Sequence, residues 1–303
     1  MTHVAVLMGG WSAEREVSLV TGKACAKGLR EAGFDEVTEI DVDRDIGAVL
    51  NELKPDVAFN ALHGPFGEDG CIQGLLELQG IPYTHSGVRA SALGMYKPMA
   101  RELFMDVGIA CADGGVYRRE QVLRQEVMDP PYVVKPLNEG SSVGVHIILA
   151  GDNLHPLADD WPFGDEVLVE RYIPGREIQV AVMGDRVLGA IEIRPFNQFY
   201  DYEAKYTDGK AEHLMPAPMQ PAMYERACDM ALKAHQTLGC RGVSRSDLRY
   251  DDTAGEPGKL YMLEVNTQPG MTPLSLVPEI AAYQGISFPE LVRWMVEDAT
   301  CGR

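Results

Sequence analysis

The sequence of 303 residues predicts an α/β fold, with an α+β arrangement in its C-terminal half. Through the first third, short runs rich in Val, Ile and Leu alternate with helical patterns, which is typical of an open parallel sheet. The strand-like runs are residues 3–8, 37–42 and 56–62. From residue 132 onward, strand-like runs follow one another with turn residues between them, which indicates antiparallel pairing. The two parts of the chain are therefore expected to differ in kind.

Two glycine-rich junctions follow strands of the predicted N-terminal sheet. Gly9 and Gly10 come directly after the first strand, and Ser12 and Glu14 open the helix that follows. Residues 63–70 form a second glycine-rich loop, between the third strand and the next helix. Because open α/β sheets bind ligands at the carboxyl ends of their strands, we expect both loops at one ligand-binding edge.

The later elements follow from periodicity and turn signals. Helical residues run from 91 to 107, and Pro98 is tolerated there if it lies in a first helical turn, which puts Lys97 at a helix start. Residues 196–218 are polar and lack a sustained period, so we expect a long loop that acts as a lid. The other predicted elements are a hairpin over 132–149 with its tip at 140–144, strands at 166–172, 177–193, 242–250 and 259–265, and helices at 221–238, 276–283 and 289–298.

Composition and charge restrict the partners of the chain. Lys and Arg number 27 against 45 Asp and Glu, a formal net charge of -18, so neither nucleic acid nor an anionic membrane surface is an expected partner. The six cysteines form no CxxC pair and no cluster with histidine, so neither a zinc site nor a disulfide framework is expected. No signal-peptide pattern opens the sequence, and no apolar run approaches membrane-spanning length. We therefore expect a cytoplasmic protein.

The strongest chemical pattern lies on the last two predicted strands. Arg245 and Asp247 alternate on one strand, and Glu264 and Asn266 alternate on the next, so each pair projects from one face. Carboxylate and amide oxygens are hard ligands that suit Mg²⁺ and the phosphates of a nucleotide. The alternative is a pair of polar faces exposed to solvent. We favour the metal site, because Glu264 follows an apolar run in which a buried acid needs a cation.

Two lysines are candidates for binding phosphate oxygens. Lys135 ends an apolar strand, and Lys97 begins a helix. A lysine alone is far more often a solvated surface group, but the glycine- and serine-rich tip after Lys135 offers backbone donors to the same phosphates. Neither a GxxxxGK[ST] motif nor a GxGxxG motif after the first strand is present, which excludes the P-loop and dinucleotide-binding folds.

Five longer motifs then identify a family. They are GGWSAEREVS at 9–18, HGPFGEDG at 63–70, EGSSVG at 139–144, YDYEAKY at 200–206 and EVNTQPGMT at 264–272. In this order they resemble D-alanine–D-alanine ligases of the ATP-grasp superfamily, over essentially the whole chain. The resemblance implies an ATP-grasp fold with an N-terminal substrate-binding domain (1–92), a small central domain (93–176) and a C-terminal domain (177–303) that carries the lid.

The resemblance implies roles at the substrate end of the site. Glu14 is expected to hold the ammonium group of the first D-alanine. Arg245 matches the family's arginine at the transferred phosphate and the oxyanion, and Gly270 supplies a backbone N–H beside it. Ser275, with Leu276, matches the site for the carboxylate of the second D-alanine.

The resemblance also implies contacts to ATP, to metal and to the lid. The implied nucleotide contacts are Lys97, Lys135 and Ser142 near the phosphates, Glu170, Tyr172 and Ile173 near adenine, and Glu177 at the ribose. The implied ligands of Mg²⁺ or Mn²⁺, expected as two ions, are Asp247, Glu264 and Asn266. The implied lid residues are Lys205 and Tyr206, with Tyr206 linking to Ser141 and Glu14.

The activity implied by the family is the ATP-dependent ligation of two D-alanines through a D-alanyl phosphate. ADP and phosphate are released, and the dipeptide serves peptidoglycan precursor synthesis. The family also implies a homodimer. Tyr96 and Pro98 depart from its usual residues, so the geometry of Lys97 is expected to differ in detail, and Trp11 replaces a smaller residue in the first glycine turn.

Three other functions stay open at this point. A ligase of the same fold could make D-alanyl-D-lactate or D-alanyl-D-serine, although the pair Lys205 and Tyr206 favours the dipeptide. A nucleotide-binding regulator would be expected to lack a magnesium ligand or Arg245, and neither is missing. A more distant ligase would not be expected to keep Glu14 and the motif at 200–206. His63 either orients the site through a hydrogen bond or is structural.

Overall fold

A computed structural model describes residues 2–124, 127–140, 144–152, 161, 164–196 and 211–302. Within these residues, none of the helices is long and apolar enough to cross a membrane. The predicted domain limits after residues 92 and 176 stay predictions. The three sheets described below each have their own topology.

The N-terminal part is a parallel sheet flanked by helices, as the sequence predicts. Its elements are β1 (His3–Gly9), α1 (Arg15–Glu31), β2 (Glu36–Val42), α2 (Ile46–Leu53), β3 (Val57–Asn60), α3 (Cys71–Gln79) and α4 (Val88–Met95). The strand order is β2-β1-β3, and both pairings are parallel. The central strand β1 is buried along nearly its whole length, because helices cover both faces of such a sheet. The carboxyl ends of β1 and β3 lead into the two predicted glycine loops.

The central part is an antiparallel sheet with two helices. Its elements are α5 (Lys97–Asp106), β4 (Gly114–Arg118), α6 (Arg119–Leu123), β5 (Tyr132–Lys135), β6 (His146–Ile148) and β7 (Glu166–Arg171). The strand order is β4-β7-β5-β6. β5 and β6 form the predicted hairpin, with Val134 opposite His146. Residues 141–143 of its tip lie outside the described residues.

The C-terminal part is an antiparallel sheet of five strands with three helices. Its elements are β8 (Arg176–Met183), β9 (Arg186–Pro195), β10 (Ala211–Leu214), α7 (Pro221–Leu238), β11 (Val243–Asp251), β12 (Lys259–Asn266), α8 (Leu276–Tyr283) and α9 (Phe288–Asp298). The strand order is β10-β9-β8-β11-β12. α7 ends where Gly239 adopts a left-handed conformation with φ of 76°, as the sequence predicts. α9 begins with a capping box between Ser287 and Glu290.

Two expectations about these elements are wrong. The helical stretch 91–107 is two helices, α4 and α5, because Tyr96 leaves the helical conformation with φ of -88° and ψ of 88°. A residue that precedes proline disfavours the helical backbone conformation, which explains why the helix breaks at or beside Lys97. Pro98 itself lies in the first turn of α5, as predicted. The segment 196–218 is not a loop throughout. Its residues Ala211–Leu214 form β10, which pairs antiparallel with the edge of β9.

Hydrophobic packing joins the N-terminal and C-terminal parts. Cys25 and Leu29 of α1 belong to the same buried cluster as Ile280 of α8 and Leu291 of α9. A second link is polar: the Asn60 Nδ2 at the end of β3 donates to the Gln268 Oε1 at 2.6 Å. Because Asn60 ends β3 and Gln268 follows β12 directly, the polar link brings the carboxyl edge of the parallel sheet, with its glycine loops, against the C-terminal sheet.

Candidate active site

A row of polar side chains crosses the C-terminal sheet. In the pairing of β11 with β12, Arg245 lies opposite Asn266, and Asp247 lies opposite Glu264. Because directly opposed residues share a face, as do residues two apart on one strand, all four side chains project from the same face. The two pairs therefore meet on one face of the sheet. Gln179 of β8 extends the row, since it lies opposite Asp247.

Each carboxylate of this row has a basic partner. The Arg245 Nε lies 2.7 Å from the Asp247 Oδ1, and the Arg245 Nη2 lies 3.0 Å from the Asp247 Oδ2, which is a bidentate pair. The Lys97 Nζ lies 3.2 Å from the Glu264 Oε2 and donates to the backbone oxygen of Glu139 at 2.5 Å. Lys97 therefore links α5 to the loop after β5 and to β12. One residue predicted to bind phosphate thus lies beside the row of Arg245, Asp247, Glu264 and Asn266, which is called the acidic row below.

The donor set fits a hard divalent cation. Asp247 and Glu264 supply carboxylate oxygens from adjacent strands, and Asn266 supplies an amide oxygen from the same face. The Asn266 Oδ1 accepts a hydrogen bond from the backbone N–H of Gln268 at 2.9 Å, which fixes the direction of its amide group. Among the described residues, no group of three or more His, Cys, Asp or Glu side chains could hold a metal ion, and the predicted set contains only two such residues. A cation here would complete its coordination with water or phosphate oxygens.

Glu14 reaches the same cavity from the N-terminal part. It directly precedes α1, and it is 5% exposed. A side chain at Gly64 or at Gly140 would begin 3.0 Å from the Glu14 Oε1, so backbone from two loops approaches this carboxylate closely. Gly64 also has φ of 73°, a conformation that favours glycine. The cavity is lined by Glu14, Lys97, Arg245, Glu264, Asn266 and Gly270, together with His63, Glu68, Glu139, Gln179, Ser275 and Leu276.

His63 is held by protein groups on both sides of its ring. The His63 Nδ1 lies 2.9 Å from the Glu68 Oε1, and its Nε2 lies 3.0 Å from the Thr21 Oγ1. The backbone oxygen of His63 accepts from the Ser12 Oγ at 2.6 Å. Of the two roles that the sequence leaves open, these contacts favour the positioning of the loop 63–70 against α1, beside Glu14. Sequence reasoning missed Glu68, although its place in the HGPFGEDG loop was a signal.

The start of α8 closes another side of the cavity. The Ser275 Oγ accepts from the backbone N–H of Thr272 at 2.9 Å. A side chain at Gly270 would begin only 2.9 Å from the same Ser275 Oγ, so the two predicted site residues are neighbours. Ser275 lies immediately before the first turn of α8, where backbone N–H groups have no partner within the helix. Such a helix start suits a carboxylate.

A second ionic cluster lies between α5 and the central sheet. The Glu170 Oε1 lies 2.6 Å from the Arg101 Nε, and the Glu170 Oε2 contacts the Lys135 Nζ. All three side chains are less than one-tenth exposed. Sequence reasoning missed Arg101, although it lies four residues after Lys97 on one helix face. Burial raises the pKa of the nearby Cys111 thiol to about 11, which keeps it protonated.

The remaining predicted nucleotide contacts lie where β7 leads into β8. The backbone N–H of Tyr172 donates to the backbone oxygen of Pro131 at 3.1 Å, and Ile173 is buried. Glu177 accepts from the Gln179 Nε2 at 3.0 Å. Lys135, Glu170, Tyr172, Ile173 and Glu177 are not among the residues that line the cavity at Glu14. The predicted contacts Ser141, Ser142, Lys205 and Tyr206 lie outside the described residues.

Comparison with known proteins assigns this arrangement to a class and then to a family. Two solved structures of the D-alanine–D-alanine ligase from Bacillus anthracis are similar over 98% of this chain. For the first structure, the match covers 97% of the solved chain, with a TM-score of 0.82 and 32% sequence identity. For the second structure, which is complexed with ATP, the match covers 96% of the solved chain, with a TM-score of 0.81 and 31% identity. The fold is therefore the ATP-grasp fold, as predicted.

The sequence comparisons narrow the class further. Residues 104–297 match the family model described as D-ala D-ala ligase C-terminus, and residues 44–86 match the D-ala D-ala ligase N-terminus. The D-alanine–D-alanine ligase of Paramagnetospirillum magneticum is 61% identical, and D-alanine–D-alanine ligase B of Mesorhizobium japonicum is 58% identical, each with 99% of both chains covered. The chain belongs to the D-alanine–D-alanine ligase family, and the predicted ligase class is confirmed.

Proposed function

We propose that this chain joins two D-alanine molecules, with ATP converted to ADP and phosphate, through a D-alanyl phosphate intermediate. One observation carries the proposal: Glu264 and Asn266 line one cavity with Arg245, Lys97 and the buried carboxylate of Glu14. Lys97 is paired with Glu264, and Arg245 is paired with Asp247. One end of the cavity can thus bind an ammonium group, while the other can bind phosphates and a cation. The relative that was solved with ATP supports ATP as the nucleotide.

Glu14 would bind the ammonium group of the first D-alanine. Its carboxylate is almost fully buried beside Gly64 and Gly140, and a buried carboxylate is favoured by a complementary cation. The hydrogen bond from Ser12 to the His63 backbone would hold the two glycine loops around that cation. The amino acid would then present its carboxylate toward Arg245 and Gly270, which line the same cavity.

The first chemical step would convert that carboxylate into an acyl phosphate. A carboxylate is a poor acyl donor, and its phosphorylation supplies a leaving group. Lys97 and Arg245 would stabilise the charge that develops on the moving phosphoryl group, each exchanging its carboxylate partner for phosphate oxygens. Magnesium or manganese, expected as two ions, would be held by Asp247, Glu264 and Asn266 and would neutralise phosphate charge when bound.

The second step would be attack by the neutral amine of the second D-alanine. Arg245 and the N–H of Gly270 would stabilise the oxyanion of the tetrahedral intermediate as phosphate leaves. The carboxylate of this second substrate would lie at Ser275 and Leu276, where the first turn of α8 offers unpaired N–H groups. The proximity of Gly270 to Ser275 supports this arrangement, since only the nitrogen and the Cα of the second D-alanine separate its carboxylate from the carbon that carries the oxyanion.

The nucleotide would extend away from this cavity toward the central sheet. We assign Lys135 to the phosphates, Glu170, Tyr172 and Ile173 to adenine, and Glu177 to the ribose, as the family resemblance implies. The buried position of Glu170 supports an apolar adenine pocket with one polar wall. Ser141, Ser142, Lys205 and Tyr206 stay predicted contacts of the hairpin tip and lid, which would protect the acyl phosphate from water.

The test is an assay of substrate-dependent phosphate release with product detection. Purified protein would be given ATP and Mg²⁺ with D-alanine, L-alanine, D-alanine plus D-serine, or D-alanine plus D-lactate, and the products would be identified by mass. We expect phosphate release matched by D-alanyl-D-alanine, with none from L-alanine. Folded protein with no D-alanine-dependent turnover would contradict the proposal. A preference for a mixed product would redirect it to one of the related ligases.

The cellular setting is also part of the proposal. The dipeptide would serve as a peptidoglycan precursor, and an ATP-consuming reaction on free amino acids places the chain in the cytoplasm. We further propose a homodimer, on the family resemblance. Light scattering on purified protein would give the mass directly, and a mass equal to the 33.3 kDa chain at micromolar concentration would contradict the dimer.

A further inference from the structure

Gln179 is a polar residue of the site to which the family resemblance assigns no role. It lies on β8 directly opposite Asp247, which in turn lies opposite Glu264, so three neighbouring strands contribute one continuous row. Gln179 is fully buried and yet lines the cavity shared by Glu14 and Arg245. A glutamine side chain in that position is therefore turned toward the space in which phosphates and a cation would bind.

The orientation of its amide group follows from one hydrogen bond. The Gln179 Nε2 donates to the Glu177 Oε1 at 3.0 Å. A carboxylate can only accept, so the nitrogen of the amide must face Glu177, and the Oε1 must lie at the other end of the planar group. Among the residues that the structure describes, no group donates to the Gln179 Oε1. A buried acceptor without a donor is unfavourable, because it has lost the hydrogen bonds that water would supply.

The surroundings indicate what this oxygen lacks. Its neighbours in the row, Asp247 and Glu264, are acceptors themselves, and the cations Arg245 and Lys97 already contact those two carboxylates. An additional acceptor oxygen beside these two carboxylates is stable only if a cation lies between the oxygens. A divalent cation takes six or more oxygen ligands, and Asp247, Glu264 and Asn266 alone supply too few.

We propose that the Gln179 Oε1 is a further oxygen ligand of the divalent cation that accompanies the nucleotide. This inference rests on the metal site of the proposed function. The same side chain also orients Glu177 through its nitrogen, so one amide couples the cation to the residue assigned to the ribose. Gln179 is therefore a residue that binds the metal–nucleotide complex, in addition to the three predicted ligands.

Direct measurement of Mn²⁺ binding tests this role without turnover. The affinity of the protein–ADP complex for Mn²⁺ would be measured from the electron paramagnetic resonance signal of free Mn²⁺. The affinity for ADP alone would be measured calorimetrically in EDTA. For Gln179→Met, which removes the oxygen at similar volume, we expect Mn²⁺ affinity to fall about tenfold, the lower end of the effect of a lost metal-site contact. ADP affinity in EDTA should change less than threefold.

Two further variants make the result decisive. Gln179→Glu keeps an oxygen at the same place, so its Mn²⁺ affinity should equal or exceed that of the unmodified chain. Gln79→Met is the matched control, since the Gln79 Nε2 also donates a hydrogen bond, here to the backbone oxygen of Gly47, and its Oε1 also lacks a donor in the described part of the chain, but it lies at the end of α3. It should leave both affinities unchanged.

The outcomes separate this inference from the proposed function. Mn²⁺ affinity within twofold of normal in Gln179→Met would overturn the inference, as would an equal loss of ADP affinity in EDTA, which would assign the side chain to nucleotide binding through Glu177 instead of to the cation. A loss in Gln179→Glu as large as in Gln179→Met would also overturn it. Absence of D-alanyl-D-alanine from the unmodified chain would instead contradict the proposed function, while the Mn²⁺ measurement would still decide the role of Gln179.

Discussion

The proposed active site has two halves that are built in different ways. The C-terminal half consists of side chains on β8, β11 and β12, whose positions follow from strand pairing. The N-terminal half consists of loops after β1 and β3, whose positions follow from hydrogen bonds such as the one from Ser12 to the His63 backbone oxygen and the one that Glu68 accepts from the His63 ring. In the first half, the backbone ladder fixes each side chain. In the second half, a few polar contacts between distant residues do so.

The difference teaches where function and stability can be separated. Changing a cavity-facing side chain on a strand leaves the ladder intact, so catalysis should suffer far more than folding. Changing a residue that holds a loop should affect binding and stability together, because the same contact orders the loop and shapes the cavity. Four substitutions examine this contrast.

Arg245→Lys should have the largest effect, and it addresses the strand half. Lysine keeps the charge but loses the bidentate geometry seen toward Asp247. We expect kcat for D-alanyl-D-alanine synthesis to fall about 10²–10³-fold, the range for loss of an oxyanion-stabilising donor. The unfolding midpoint should stay nearly unchanged, because β11 keeps its pairing. Arg226→Lys, on the exposed face of α7, is the control. A decrease in kcat of less than fivefold would show that Arg245 does not stabilise the transition state.

Gln268→Met should weaken the joint between the halves. It removes the acceptor of the Asn60 Nδ2 and the donor to the backbone oxygen of Leu62, both buried. We expect the free energy of unfolding to decrease by about 2 kcal/mol, since a buried polar group is left unpaired. Urea unfolding measures this change, with exposed Gln284→Met as control. Equal stabilities of the two variants would show that the joint depends on packing alone.

His85→Asn should change the response of the fold to acid at the same joint. Burial lowers the pKa of His85 to about 3. The unfolded chain, with an ordinary histidine pKa near 6.5, therefore binds a proton that the folded chain does not, and stability is lost as pH falls below about 6.5. At pH 5 this loss is about 2 kcal/mol for His85. Asparagine tolerates the φ of 67° found at this position.

The measurement for His85 is urea unfolding of both proteins at pH 7 and at pH 5. The variant should lose about 2 kcal/mol less than the unmodified chain between these two values. The unmodified chain, unfolded in parallel at both pH values, is the reference for this difference. Identical pH dependence of His85→Asn and the unmodified chain would show that His85 is not the group responsible.

Glu68→Gln should have the smallest effect, and it addresses the loop half. The substitution keeps the shape but removes the charge that accepts from His63, so the loop 63–70 is held less firmly beside Glu14. We expect the KM for the first D-alanine to rise about tenfold, with kcat changed less than threefold. Glu52→Gln, exposed on α2, is the control. A fall in kcat with unchanged KM would assign Glu68 a direct part in the chemistry instead.

Much of the fold was predictable because its signals are local. The alternation of β1, β2 and β3 with helices, the hairpin of β5 and β6, and the exact span of α7 with its Gly239 end all follow from periodicity and turn residues. β4, α6 and β10 were not predicted. β10 has no apolar pattern of its own, and it exists because the edge of β9 supplies backbone partners. The break at Tyr96 was missed although the following residues contained its cause.

The sequence by itself determined the acidic row of Arg245, Asp247, Glu264 and Asn266, because alternation along a strand fixes which side chains share a face. The family motifs likewise pointed to Glu14, Gly270 and Ser275, all of which line the cavity. Only the tertiary structure decided which residues from distant parts of the sequence contact one another. The contacts depend on distances between such segments, which no local pattern encodes. Examples are Arg101 with Glu170, Asn60 with Gln268, and the Gln179 Oε1, which has no donor among the described residues.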